Sequence, residues 1–322
     1  MTFKTNTYVI SNRKNDSEIS STIDYQFSPN APNQMYNDNV GMVSVAMAVW
    51  YDYVAKDLIT LSQKQPVSIP LVFQIHGFHT TAEEARRGQA QYGNLLYAEG
   101  LAPGLVIGVS WPSATWTPAG GRENAENSYP LFHAVLTAFE GIQASLKRMG
   151  GNNAPTLLKV IICHSMGNYL MSKALTSGKI PVDQYRNRVD RVIMLAPDVD
   201  RRIFTQESSV LNQGKAIYDM CSGNVQVLWT GEDDILAKDE WIGMWTILGY
   251  RGLQAPLSPS TPSVSFYDCT KYARRDYSYK YVPGDYISQS PPFPPDGVAH
   301  SACRFVPDLI LLEIDFITHK TM

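Results

Sequence analysis

The 322-residue sequence has few cysteines, few charged residues and no long apolar run. Its four cysteines are widely spaced, without a Cys-x-x-Cys pair or a Cys/His cluster of metal-binding spacing, so we expect no metal site. Lys, Arg, Asp and Glu make up only 18% of the residues, and the formal net charge is −3. Because phosphate binding needs clustered Lys and Arg, nucleic acid is not expected as a partner.

The sequence also lacks a membrane span and a secretory leader. No stretch approaches the roughly 18–20 apolar residues that a transmembrane helix needs, and "MTFKTNTYVISNRKND" has no apolar segment behind a charged start. These absences predict a soluble, cytoplasmic protein, although a mature secreted form would look the same. Cys163 lies in a core-like strand and is expected to be a buried free thiol, whereas Cys269 and Cys303 could pair.

What is present is a series of continuous apolar runs. With 44% apolar residues, the chain can bury a sizeable core. Continuous rather than alternating runs are typical of strands buried on both faces, and their alternation with helical patterns predicts a doubly wound α/β sheet. The predicted strands are "TYVIS", "GMVSVAMA", "VSIPLVFQI", "LVIGVSWPS", "LLKVIICHS", "VDRVIMLAPDVD", "NVQVLWTGEDD" and "SVSFYDC".

Helices are predicted between these strands. The segment Thr81-Ala82-Glu83-Glu84 has the spacing of a capping box and opens one of them. Further helices are expected over 131–149, from Asn168 to Leu175 and in "VPDLILLEIDFI". We expect a polar, Asn-rich loop between the first two strands, an irregular loop after "SWPS" and a surface excursion over 254–295.

Chemically distinctive residues come where predicted strands end. They are His76-Gly77, Trp111-Pro112-Ser113, His164-Ser165, Asp198 and Asp233. Because ligands of doubly wound sheets bind beyond the carboxyl ends of the strands, these residues predict a functional site at that edge.

Ser165 is the candidate nucleophile. A buried strand followed at once by x-Ser-x-Gly and a helix is the pattern of a nucleophile elbow, in which the serine hydroxyl stands clear at the tip of the sheet. Such a serine needs a base, and the base follows the serine and the acid along the chain. His300, in "DGVAHSACR", meets this order, whereas the adjacent His164 is expected to point away from the hydroxyl. An ordinary surface-loop histidine is the alternative interpretation of His300.

The acid that orients the base has two candidate positions, "APDVD" and "TGEDDIL". Asp233 is preferred because the acid of this arrangement most often follows the strand represented here by "VQVLWT". Asp200 is the alternative acid, and Asp234 allows for a shift of one residue. Each of these carboxylates could instead be a helix N-cap.

Two backbone N–H groups are needed for an oxyanion hole, and those of Phe78 and Met166 are the candidates. Gly77 would let this backbone approach a substrate closely. Core packing is the alternative for a tryptophan at a strand end. The candidates for substrate binding are His76, Gly77, His79, Trp111 and Trp116.

Three motifs occur in a fixed order: "IHGFHTTAEEARRGQAQYGNLL", "VIGVSWPS" and "VIICHSMGNYLMSKAL". They resemble a little-characterised bacterial branch of the α/β-hydrolase superfamily, whose members carry His-Gly-Phe/Tyr, Ser-Trp-Pro-Ser and His-Ser-Met-Gly-Asn. "YVISNRK", "APDVDRRIF", "TGEDDIL" and a late "HS" extend the resemblance over nearly the whole chain. It implies an α/β-hydrolase fold, with a mostly parallel central sheet flanked by helices on both faces. It also implies serine hydrolase chemistry, with Ser165, Asp233 and His300 at the triad positions.

Some residues depart from the pattern of this branch. Cys163 replaces a small Ala or Gly, and Tyr129 is followed by Phe132 where Tyr-x-x-Asp is usual. The stretch before His300 is long. We expect a single domain over residues 1–322, with a partial overhang or cap from roughly 237–262 and 270–299 above the site.

These observations predict a serine hydrolase that cleaves a carboxylic ester, lactones included, through an acyl-enzyme and without a metal or organic cofactor. The aromatic overhang favours a bulky or apolar small-molecule substrate. The same nucleophile would also serve an acyltransferase or an amidase. A non-catalytic binding protein of hydrolase fold is a third hypothesis, which a missing triad residue would favour. The oligomeric state is open.

Overall fold

The apolar runs become the strands of one twisted sheet. The computed structural model describes residues 6–28, 41–63, 67–99, 104–206, 210–243, 246–253, 256–272, 298–304 and 306–318. The sheet formed by these residues has nine strands in the order β3-β2-β1-β5-β4-β6-β7-β8-β9. The strands are β1 Thr7–Arg13, β2 Ile19–Ser28, β3 Val43–Val45, β4 Ser68–Ile75, β5 Leu105–Ser110, β6 Thr156–His164, β7 Arg191–Leu195, β8 Val225–Trp229 and β9 Ser265–Asp268.

The sheet is mostly parallel, as predicted. Strands β1 and β4 to β9 pair in parallel, whereas β2 and β3 add an antiparallel edge beside β1. Strand β4 lies between β5 and β6, so the strand order reverses at this point and opens a crevice at the carboxyl ends. Ile75 pairs with Cys163, and therefore His76 and His164 leave the sheet side by side.

Helices connect the strands on both faces of the sheet. They are α1 Met47–Leu61, α2 Ala82–Ala98, α3 Pro118–Asn127, α4 Tyr129–Gly150, α5 Met166–Thr176, α6 Val182–Tyr185, α7 Leu211–Met220, α8 Asp234–Gly243, α9 Leu248–Arg251, α10 Val298–Ser301 and α11 Pro307–Thr318. Short 3₁₀ turns occupy Gly151–Asn153, Thr270–Tyr272 and Ala302–Arg304. The capping box opening α2 is confirmed, because Thr81 N donates to Glu84 Oε2 and Glu84 N to Thr81 Oγ1.

Successive residues of the central strands point to opposite faces of the sheet and pack into two separate hydrophobic cores. Leu71, Phe73 and Ile161 face a core shared with α1, α4, α5 and α7. Val72, Val160 and Ile162 face a second core shared with α2 and α11. Because both faces of the central strands are covered, their sequences read as continuous apolar runs rather than alternating ones.

The N-terminal prediction was partly wrong. The expected Asn-rich loop contains β2, which pairs with β1 and buries only Tyr25 and Ser28 of its ten residues. A strand exposed to this degree carries little apolar signal. In "GMVSVAMA" only Val43–Val45 is a strand, and α1 begins at Met47. The aromatic and β-branched residues of α1 favour strand locally, but those it buries recur at helical spacing: Trp50, Tyr51, Val54, Ala55, Leu58 and Leu61.

The loop after "SWPS" and the predicted overhang are the next two predictions to compare with the structure. The expected irregular loop after "SWPS" contains α3, which Thr117 caps through its hydroxyl and Pro118 begins. Residues 246–249 hydrogen-bond the loops after β7 and β8, through bonds such as Leu248 N to Val199 O and Thr230 N to Gly249 O. Most of the remaining overhang, 273–297, lies outside the described residues, so the overhang and the single domain stay predictions.

The cysteines are buried and free. Cys163 lies in the core with its Sγ 3.8 Å from Met171 Sδ, as expected for a buried thiol. Cys269 and Cys303, which could pair on the sequence alone, carry free thiols in the structure. No helix within the described ranges is long and apolar enough to cross a membrane.

Candidate active site

Ser165 lies at a sharp turn between β6 and α5. Its backbone has φ 52° and ψ −126°, in the left-handed half of conformational space that a serine rarely adopts. Gly167 makes the turn possible, because a Cβ there would lie 2.7 Å from His76 O and 2.8 Å from Ile75 O. The helix therefore crosses the end of β4 at a distance that only glycine permits. The strand, the strained serine and the glycine together have the backbone geometry of a nucleophile elbow.

Asn168 holds the elbow from the first turn of α5. Its side chain is fully buried, and Nδ2 donates to the carbonyl oxygens of Cys163 at 3.0 Å and Ser165 at 3.1 Å. A third carbonyl, that of Leu195 on β7, lies 3.4 Å away. If the side-chain amide were flipped, Oδ1 rather than Nδ2 would face these carbonyl oxygens, and two acceptors cannot hydrogen-bond each other. The contacts therefore determine which way the amide of Asn168 is oriented. A single side chain thus joins β6, the elbow and β7.

His300 and Asp233 form a buried hydrogen-bonded pair. His300 Nδ1 lies 2.7 Å from Asp233 Oδ2, and the two residues are 9% and 0% exposed. Asp233 Oδ1 accepts the N–H of Leu236 at 2.9 Å, which fixes the carboxylate at the start of α8. Burial by itself lowers the pKa of His300, but the charge of Asp233 and their hydrogen bond raise it above its usual value.

His300 is held beside the turn at Ser165 by His164, the residue that precedes the serine. His164 Nε2 donates to the backbone carbonyl of His300 at 3.0 Å, and the two ring centroids are 4.7 Å apart. Burial lowers the pKa of His164 well below its usual value, so this ring stays neutral. The side chain of His164 therefore supports the loop that carries His300.

The other carboxylates have different partners. Asp200, the alternative acid, accepts from Arg202 Nε at 2.9 Å and Nη2 at 2.7 Å. Asp234 is the first residue of α8. Asp198 is buried and lies 3.3 Å from Arg122 Nη2 on α3, while its backbone N–H donates to Ser165 O at 3.2 Å. The acid candidate that the structure shows hydrogen-bonded to His300 is Asp233.

Gly77 brings the loop after β4 against the serine. A Cβ on Gly77 would lie 2.8 Å from Ser165 Cβ and 3.3 Å from Ser165 Oγ, so no side chain fits there. The backbone hydrogen bonds of the described loops and helix caps use neither Phe78 N–H nor Met166 N–H. The Phe78 ring and Met166 Sδ both pack on Gly121 of α3. Two backbone donors and an apolar wall thus flank the elbow.

The aromatic candidates for substrate binding lie in contrasting places. Trp111 is fully buried, and its indole stacks on His76 with centroids 5.6 Å apart and planes 5° apart. This position corresponds to the core-packing alternative rather than to a pocket wall. Trp116 is fully exposed on the loop before α3. His79 is exposed, has φ 54° and donates its N–H to Ser113 O.

A family comparison agrees with this architecture. The family model described as "Alpha/beta hydrolase of unknown function (DUF900)" matches residues 53–237. The chain belongs to this family. The predicted α/β-hydrolase fold is thereby confirmed, since the sheet and its flanking helices have the expected order. The match includes Ser165 and Asp233 and ends before His300, so the assignment of His300 rests on its contacts.

Solved structures similar to this α/β hydrolase include lipase B from Aspergillus fumigatus, which is 14% identical with a TM-score of 0.37, over 90% of this chain and 72% of that one. Carboxyl esterase 2 from the mycorrhizal fungus Tuber melanosporum is 9% identical with a TM-score of 0.33, and the match covers 90% of this chain and 81% of that one. A bacterial heroin esterase is 11% identical with a TM-score of 0.33, and the match covers 83% of this chain and 76% of that one. No curated protein matches the sequence.

Several residues that hold the site of this α/β hydrolase together are given no specific role by the sequence. The local pattern predicts Asn168 only as the start of a helix, and it predicts Asp198 and Ser113 only as residues at strand ends. Arg13 lies in "YVISNRK" and Ser110 in "SWPS", and both motifs were noted for their resemblance. The described residues contain no group of three or more His, Cys, Asp or Glu that could hold a metal ion.

Proposed function

We propose that this α/β hydrolase cleaves a carboxylic ester through an acyl-enzyme, with Ser165, His300 and Asp233 as its catalytic triad. The observation that carries the proposal is the 2.7 Å hydrogen bond between His300 Nδ1 and Asp233 Oδ2, anchored through His164 beside a serine at φ 52°. A base, its orienting acid and a strained serine at one strand end are the parts that nucleophilic catalysis requires.

The reaction follows from these positions. With its Nδ1 proton held by Asp233, His300 has Nε2 available to take the proton of Ser165 as Oγ attacks the ester carbonyl. The N–H groups of Phe78 and Met166 donate to the oxyanion, and α5 begins behind them with its positive dipole end. The intermediate collapses as His300 returns the proton to the leaving alcohol. Water, deprotonated by His300, then attacks the acyl-enzyme, and His300 passes that proton to Ser165 Oγ as the acid is released.

The substrate class is a small-molecule ester with an apolar group near the carbonyl. The packing of the Phe78 ring and Met166 Sδ on Gly121 supports this, because it places apolar atoms beside the proposed oxyanion donors. Lactones belong to the same class, since ring opening leaves the alcohol attached to the acyl group. A panel of esters varying in acyl length, together with macrocyclic lactones, would define the preference.

A fluorophosphonate probe, which phosphonylates activated serines, tests the nucleophile directly. We expect the wild type to be labelled and Ser165→Ala to lose both labelling and ester turnover. Ser222→Ala is the matched control, because Ser222 also has a positive φ (54°) but is exposed and precedes β8. Labelling that survives in Ser165→Ala would overturn the proposal. Product ratios with and without an added alcohol would separate hydrolysis from acyl transfer.

A further inference from the structure

His76 is buried beneath the loop that carries the proposed oxyanion donor. It is 4% exposed and comes directly after β4. Its Nδ1 lies 2.9 Å from Gly77 O. Its Nε2 lies 3.1 Å from Arg13 Nη2 and 3.2 Å from the backbone N of Trp111. Both ring nitrogens are therefore engaged inside the protein, and neither serves a substrate.

These partners determine where the imidazole proton resides. A guanidinium and a peptide N–H can only donate, so Nε2 must accept from Arg13 and Trp111. The proton of the neutral ring is then on Nδ1, which donates to Gly77 O. Burial lowers the pKa of His76 well below its usual value, and the charge of Arg13 lowers it further. The ring remains neutral in this one tautomer.

The hydrogen bond to Gly77 O also orients Phe78 N–H. The two groups belong to the same peptide unit, which is planar, and in a trans peptide the C=O and N–H point in opposite directions. Holding the Gly77 oxygen down toward His76 therefore turns the Phe78 N–H the other way. Gly77 itself packs against Ser165, so the Phe78 N–H belongs to the peptide unit next to the proposed oxyanion.

Arg13 ties this histidine to both neighbouring loops. Its Nε donates to Ser110 Oγ at 2.7 Å, and its Nη2 donates to Thr80 O at 2.8 Å as well as to His76. Ser113 Oγ accepts the N–H of Thr80 and donates to Thr80 O, each at 3.1 Å. The rigid, planar guanidinium fork thus spans β1, the end of β5 and the oxyanion loop.

We propose that His76, as the Nδ1–H tautomer set by Arg13 and the Trp111 N–H, is a positioning residue that orients the oxyanion-hole donor Phe78. This inference rests on the proposed function, since it names what aligns the donor of that site. It also gives "YVISNRK" and "SWPS" one shared role, because both motifs brace the loop that follows β4.

A pair of His76 variants separates the two ring nitrogens. Asn carries its donor nitrogen near the place of Nδ1, whereas Gln reaches the place of Nε2. Gln thereby removes the imidazole donor to Gly77 O and leaves the longer 3.3 Å hydrogen bond from Thr80 Oγ1. We expect His76→Gln to lower kcat about 10- to 100-fold with little change in KM, because the oxyanion donor is misplaced. His76→Asn should retain clearly more of the wild-type kcat. Equal kcat values in the two variants would overturn the proposal.

Arg13→Lys keeps the charge but removes the planar fork, and we expect a loss of kcat of about 10-fold. Arg191→Lys is its matched control, because Arg191 is a buried arginine at the amino end of β7 that donates to Phe316 O. Both variants are compared by thermal unfolding as well, so that a loss of stability alone is recognised. A kcat in Arg13→Lys no lower than in Arg191→Lys would contradict the role of Arg13.

The tautomer of His76 can be determined without measuring enzyme activity. In the full chain labelled with ¹⁵N-histidine, and with His76 assigned by comparison with His76→Asn, we expect Nδ1 protonated and Nε2 unprotonated. An Nε2–H tautomer would overturn the proposal, whatever the kinetics. An inert wild type that the fluorophosphonate probe does not label would instead overturn the proposed function and, with it, the oxyanion role of His76.

Discussion

Ser165 has a strained backbone conformation at the junction of β6 and α5. A non-glycine residue at positive φ costs about 1–3 kcal/mol and persists only where its surroundings hold it. Here the surroundings are identifiable: Ser165 N–H donates to Leu195 O at 2.9 Å, and its carbonyl accepts from Asp198 N and Asn168 Nδ2. The neighbouring strand and helix, rather than the serine itself, therefore determine this conformation.

Asp233→Asn tests the acid at the scale of one residue. The substitution removes the charge that raises the pKa of His300. We expect kcat to fall about 10³- to 10⁴-fold, because the imidazolium formed during the reaction is no longer stabilised. The base acts only when neutral, so activity is lost as the pH falls through its pKa. With that pKa lowered, the acidic limb of the kcat/KM profile should move to lower pH.

Asp200→Asn is the comparison variant for this measurement. Asp200 binds Arg202 rather than His300, and its loss should leave kcat within about twofold of the wild type. A larger loss in Asp200→Asn than in Asp233→Asn would reverse the assignment of the acid.

The junction between β6 and α5 acts as a unit at the scale of elements. Gly167 permits the helix to cross β4, and Asn168 donates to the carbonyls of Cys163 and Ser165. The two residues are adjacent in the helix, yet one works by having no side chain and the other by having a buried amide. The "MGN" that follows the serine is thus explained by packing and hydrogen bonding.

Gly167→Ala should destabilise the protein by about 1–3 kcal/mol, because the new methyl group meets two backbone oxygens that cannot move aside. Denaturant unfolding measures this difference. Gly41→Ala is the control, since a Cβ there would meet no atom within 4 Å and we expect a change under about 0.5 kcal/mol. If the two variants were equally stable, a methyl group at residue 167 would fit between α5 and the end of β4, and the proposed need for glycine there would be wrong.

Asn168→Asp replaces a buried donor by a carboxylate facing carbonyl oxygens. We expect a loss of about 1–3 kcal/mol of unfolding free energy, and a rate of probe labelling at Ser165 lowered about 10-fold. Asn152→Asp, in the exposed turn at Gly151–Asn153, should change neither quantity. An Asn168→Asp variant that is destabilised but labelled at the wild-type rate would limit the role of Asn168 to stability.

The whole molecule is organised from the centre of the sheet outward. Strands β4 and β6 are paired on both sides and mostly buried, whereas the edge strands β3 and β9 are short and partly exposed. We expect amide hydrogen exchange, followed by mass spectrometry, to be slowest in β4 and β6 and fastest in β3 and β9. Faster exchange in β6 than in β9 would contradict a central, rigid support for Ser165.

Much of this organisation was predictable because local patterns encode it. The buried parallel strands have continuous apolar runs, the elbow has a short serine motif, and the chain order of Ser, acid and His, together with a loop before the last helix, favours His300 as the proposed base. The elements that were missed have weak or misleading local signals. Strand β2 is mostly polar since it lies near the sheet edge, and α1 carries residues such as Trp50 and Val54 that favour strand until it packs on α4.

The sequence by itself determined the mostly parallel sheet and the residues at its carboxyl edge, because burial on both faces and strained turns each demand particular residue types. Only the tertiary structure decided which of those residues meet. Asp233 rather than Asp200 reaches His300, and Arg13 reaches His76 from 63 positions away. Such contacts join distant segments whose relative position depends on strand order and register, and no local pattern encodes that position.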